Sequence, residues 1–88
     1  MLKLKINSKF QVKTVNGHTV IINCDDNTTV GKVNFNEIKT FLWDITKENN
    51  LTKQAMLDAT LKKFDISTVL ALGEIDGFIK KIKELGII

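Results

Sequence analysis

The chain reads as an α+β domain in which three short antiparallel strands precede a bundle of three helices. Three observations predict this. Apolar β-rich runs flank Asn16-Gly17 in the first third, apolar residues recur at helical spacing from Ile38 onward, and 88 residues are too few for a second core. A single domain over residues 1–88 is therefore expected.

The first strand is placed at residues 10–15 and the second at 18–23. Asn-Gly between two β-rich runs is a strong hairpin signal, because both turn residues must take positive φ. The polar stretch from Cys24 to Thr29 reads as a loop. Residues 30–35 read as a third strand, with Val33 and Phe35 on one face and Lys32 and Asn34 on the other. Val30 then falls on the polar face, an imperfection in the alternation.

Helix one is expected over 36–48, with Ile38, Phe41, Leu42 and Ile45 forming one apolar stripe. Asn34 with Glu37 has capping-box spacing, and Asn36 is the other candidate cap. Helix two starts after Thr52, its N-cap, with Leu57, Leu61 and Phe64 inward. Helix three runs from about Thr68 to Leu85 after Ser67. Leu72, Ile75, Phe78, Ile79, Ile82 and Leu85 fill an arc of roughly 140° at 100° per residue. Gly86 and Ile87 suit a Schellman ending.

Composition excludes several functions. The longest apolar run is Val69 to Leu72, so no membrane span is predicted. Met1 to Ile6 alternate apolar and charged residues and lack a secretory core, so a cytoplasmic protein is expected. One cysteine and one histidine cannot build a zinc site, and no cofactor is implied. Cys24 is expected to be a small buried or half-buried thiol, and His18 a surface residue beside the turn. Trp43 is expected at the edge of the core. Gly73 and Gly77 read as glycines on an exposed face, or as sites of close packing. All 13 cationic side chains are lysines, and the absence of arginine disfavours sequence-specific DNA binding. No acid–base pair is evident, so the chain is not expected to be an enzyme.

The third strand is the informative feature. A three-stranded sheet has edges, and Val30, Gly31, Lys32, Val33 and Asn34 carry one charge and no proline to protect theirs. Such an edge can accept a peptide strand. Four or five main-chain bonds at about 0.5–1.5 kcal/mol each fall short of the roughly 8 kcal/mol of micromolar binding. Apolar pockets must supply the remainder, and helix three is the natural wall.

Asn34-Phe35-Asn36-Glu37 leading into Phe41-Leu42-Trp43 resembles the "LNE…IW" start of helix one in the PqqD family. Glu74-Ile75-Asp76-Gly77-Phe78-Ile79-Lys80-Lys81-Ile82 through Gly86-Ile87-Ile88 resembles that family's "DV..FL..L…GLI" ending. The resemblance covers nearly the whole chain. Phe35 stands for the usual Leu, Glu74 for the usual Asp, and Asn49-Asn50 for a turn that often holds Gly. It implies a winged-helix-type domain and a RiPP recognition element, a peptide chaperone. Such a domain binds the leader of a ribosomally made precursor peptide and presents it to a modifying enzyme, often a radical-SAM enzyme.

The implied binding set is the edge from Val30 to Asn34 with Leu72, Ile75, Asp76, Ile79, Lys80 and Lys83 of helix three. If the opposite margin of that helix faces the groove, Glu74, Phe78 and Lys81 replace them. Two rivals are a winged-helix DNA-binding protein and a homodimer joined through the sheet edge or through Leu2-Leu4-Ile6. Against the first, Ser67 to Phe78 carry no lysine and two acids.

Overall fold

The hairpin is built where both turn residues can take the left-handed region. In the computed structural model, which describes residues 3–88, β2 (Phe10–Val15) and β3 (His18–Asn23) flank Asn16 at φ 52° and Gly17 at φ 78°. This is the type I′ geometry that matches strand twist. β4 (Thr28–Val33) pairs antiparallel with β3, giving the sheet order β2-β3-β4. Three helices follow: α1 (Glu37–Glu48), α2 (Lys53–Lys63) and α3 (Thr68–Glu84). The architecture is α+β, a three-stranded antiparallel sheet with three helices.

The third strand starts two residues earlier than expected, and Val30 does not lie on the polar face. The β3–β4 register pairs Ile21 with Gly31 but Ile22 with Thr29, leaving Val30 as an extra, bulged residue. A bulge resets the pleat. Val30 thereby packs against the core, half-buried. Gly31 faces inward beside Ile21, and a Cβ there would lie 2.5 Å from Leu85 Cδ2. A larger residue would require the Leu85 side chain to move.

Two further strands were not foreseen. β1 (Lys3–Leu4) pairs antiparallel with β5 (Leu51–Thr52), just ahead of α2. The Ile6 N–H donates to the Thr46 carbonyl at 3.0 Å, and Ile6 is fully buried. Leu4 and Ile6 thus sit in the chain's own core; Leu2 lies outside the described residues.

The helix ends follow local chemistry. Asn36, Thr52 and Ser67 each accept a hydrogen bond from the N–H three residues on, so Asn36 and not Asn34 caps α1. At the end of α3, Gly86 (φ 74°) donates to the Lys83 carbonyl and Ile87 to that of Ile82, both bonds of a Schellman motif. Ile87 folds back into the core beside Ile82.

The buried faces of α1 and α2 are rotated from the expected stripes. α1 buries Leu42, Trp43 and Thr46; α2 buries Met56, Leu57 and Thr60. Each threonine hydroxyl donates to a carbonyl four residues back, Leu42 at 2.7 Å and Met56 at 2.8 Å. With its hydroxyl satisfied inside its own helix, the residue presents a methyl group to the core at little cost. Phe35 joins sheet exit to helices, its ring 6.0 Å from Trp43 and 5.8 Å from Phe78.

Two predictions test this account. Gly73 is in mid-helix and a Cβ there meets nothing within 4 Å. Gly73→Ala should raise stability by about 0.5–1 kcal/mol, read from the urea midpoint, and an unchanged or lower midpoint contradicts the free space. In the β3–β4 turn, the Asp26 carboxylate accepts from the Thr28 hydroxyl at 2.6 Å and the Thr28 N–H at 3.1 Å. These bonds, the hydroxyl foremost, hold its carboxyl below the ordinary range. A lowered folded pKa contributes stability above the ordinary carboxylate value, and that stability is lost as pH falls through the lowered one. Thr28→Val should move the Asp26 titration upward in a carbon-detected NMR pH series; no movement contradicts the assignment.

Candidate functional site

Two grooves flank α3, one on each margin of its buried stripe, which comprises Ala71, Ile75, Phe78 and Ile82. At 100° per residue, Glu74, Gly77, Lys81 and Leu85 fall on one side of that stripe, and Leu72, Asp76, Ile79 and Lys83 on the other. The first margin faces β4 and α1. The second faces α2 and the β1–β5 pair.

The groove on the β4 side has a volume of about 580 Å³. Lys32, Val33, Asn34 and Phe35 line it from β4 and its exit, Thr19 and His18 from β3, Gly77 and Lys81 from α3, and Lys39 from α1. Its end is held by a tie between the helices. Glu74 accepts from Asn36 Nδ2 at 3.0 Å and pairs with Lys39 at 3.2 Å. Glu74 is thereby occupied, while Lys32 and Lys81 have no ion-pair partner among the described residues. Gly77 leaves room beside the Lys39 stem, whose Cε would be 3.5 Å from a Cβ.

On its outer side, β4 has no backbone partner among the described residues. The bulge at Val30 breaks the regular run there, so the usable edge is Gly31 to Val33, continuing to Asn34. Lys32 points to the outer face of the sheet, in one row with Val20 and Lys13. Val20 is buried on that face, consistent with cover from the two lysine stems.

The second groove, of about 780 Å³, lies between β1, the start of α2 and the latter half of α3. Asp76, Ile79, Lys80 and Lys83 line it, as do Leu4, Leu51 and Met56. Asp76 pairs with Lys53 across it.

The residues expected to form one site are therefore divided. Lys32, Val33 and Asn34 share the β4 groove with Lys81 from the alternative margin. Asp76, Ile79, Lys80 and Lys83 line the second groove, away from β4. Val30 packs against the core, Gly31 lies under Leu85, Leu72 is half-buried and Ile75 is fully buried. Of the alternative residues, Phe78 is fully buried and Glu74 forms the tie to α1. Sequence reasoning missed Lys39, Gly77 and Phe35 as lining residues. Gly77 carried a usable signal, since a mid-helix glycine invites close packing.

Among the described residues no three of His, Cys, Asp and Glu could hold a metal ion. His18 is exposed with no acid hydrogen-bonded to it. Cys24 is exposed, not buried, because it lies past the last β3 residue in the turn, where only its N–H is engaged, with the Lys9 carbonyl at 2.8 Å. No helix among the described residues is long and apolar enough to cross a membrane.

No family model matches the chain, and neither a curated protein nor a solved structure matches it.

Proposed function

We propose that the chain is a non-catalytic peptide-binding adaptor of the winged-helix type, resembling the PqqD family. A leader segment of a ribosomally made precursor adds as a strand on the outer side of β4, and the adaptor presents it to a peptide-modifying enzyme. The observation that carries this reading is the unpaired edge from Gly31 to Asn34 opening onto a groove walled by Gly77 and Lys81. Main-chain bonds along the edge give affinity, and side chains of the added strand enter the groove beside Val33 and Phe35. Lys32 and Lys81 favour acidic residues in the leader and speed its arrival.

The element order supports the winged-helix comparison, as does the hairpin end, where every residue from Lys13 to His18 is exposed. A DNA-binding reading gains nothing from α3. Its N-terminal half presents Val69, 80% exposed, and Leu70, 61% exposed, where a recognition helix needs groups that read base edges.

The test is an amide-shift titration with a synthetic peptide of the leader encoded beside this gene. Shifts should centre on Gly31 to Phe35, Gly77 and Lys81. Gly77→Leu fills the groove from a half-buried position, where a Cβ meets only the flexible Lys39 stem at 3.5 Å, and should weaken binding at least tenfold, or about 1.4 kcal/mol, with the fold intact. Shifts confined to Asn16-Gly17, or unchanged affinity in the folded variant, would falsify the reading.

A further inference from the structure

We infer that the second groove, on the far margin of α3, is a separate docking surface for an acidic polypeptide segment bearing aliphatic side chains. Charge and floor chemistry together carry this. Five of the chain's 13 lysines gather at the groove, namely Lys3, Lys5, Lys53, Lys80 and Lys83, and all five are exposed. Only one of its 10 acids is present, Asp76, and it is already paired with Lys53. The other four lysines have no ion-pair partner among the described residues. Between them the floor is aliphatic: Leu4, Leu51, Met56, Ile79 and Ile87, with Ile88 43% exposed.

An occupant must bring negative charge and apolar groups at once. Nucleic acid brings the charge, but no aromatic side chain lines the groove for a base to stack on. A bilayer brings both, yet it is flat, and Leu4, Met56 and Ile87 are recessed to 8% exposure or less. A polypeptide segment can enter the concavity with aliphatic side chains down and carboxylates toward the lysines. The β4 edge is on the opposite margin of α3, so both surfaces can be filled together. This inference does not depend on the leader-binding reading, because the two grooves share no lining residue.

The experiment uses the full chain and three probes at low salt: a synthetic 10-residue Glu/Leu peptide, its Lys/Leu counterpart, and phosphatidylglycerol vesicles. The Glu/Leu peptide should shift the amides of Leu4, Lys5, Leu51, Ile79, Lys83 and Ile88. Binding should fall at least tenfold in Lys80→Glu/Lys83→Glu, whose two sites are exposed, with an unchanged circular dichroism spectrum. It should also weaken as salt is raised. The inference is overturned by no shifts, by shifts confined to the β4 groove, or by equal binding of the Lys/Leu peptide. Co-sedimentation with the vesicles without peptide shifts would assign the surface to lipid and overturn it equally. A leader that fails to bind at β4 leaves these readouts untouched.

Discussion

The packing of α3 against the sheet and the other helices is the constraint on which both grooves depend, and at its C-terminal end Leu85 lies directly over Gly31. Leu85 is the C-cap of α3, and the Schellman bonds from Gly86 and Ile87 orient the chain there. Its side chain occupies space over β4 that a Cβ at residue 31 would crowd. Gly31 faces inward by alternation with Val33, and the bulge at Val30 falls one residue before it. One missing side chain and one helix ending thus combine. With α3 pinned at its C-terminal end, Gly77 and Lys81 stand off from Lys32 to Phe35 and leave a groove. Ile79 and Lys83 are turned toward β1 and α2 and line the other.

Charge completes the division. Two of the three acids on α3 are committed to internal ties, Glu74 to Asn36 and Lys39, Asp76 to Lys53. The exposed Asp76–Lys53 pair contributes little stability, about 0–1 kcal/mol. The larger effect of these ties is to remove negative charge from both grooves, which leaves lysines facing whatever enters. A chain without arginine holds no preformed fork for phosphate or guanine. It offers point charges around apolar floors, a chemistry suited to polypeptides.

What was legible in the sequence was local. Asn16-Gly17, the caps Thr52 and Ser67, and the Gly86-Ile87 ending each express a conformational need within a few residues, and each lies where the spacing placed it. What was not legible depended on partners far along the chain. Gly31 lies against Leu85 far along the chain, and the β1–β5 pair joins residues more than half the chain apart. Thr46 and Thr60 looked polar because their hydroxyl partners lie on their own helices and leave no trace in periodicity. The helical wheel of α3 defined two margins but carried no information on which one the sheet would meet. The chosen residues were therefore divided between two grooves.

Hydrogen exchange along β4 tests the central claim most directly. The outer side of the strand is unpaired in the free chain, so an added leader strand must bond some of its amides. With the leader peptide at saturation, exchange should slow between Gly31 and Asn34 while the β2 edge from Gln11 to Val15 is unchanged. Saturating binding with no slowing on β4 would contradict the account.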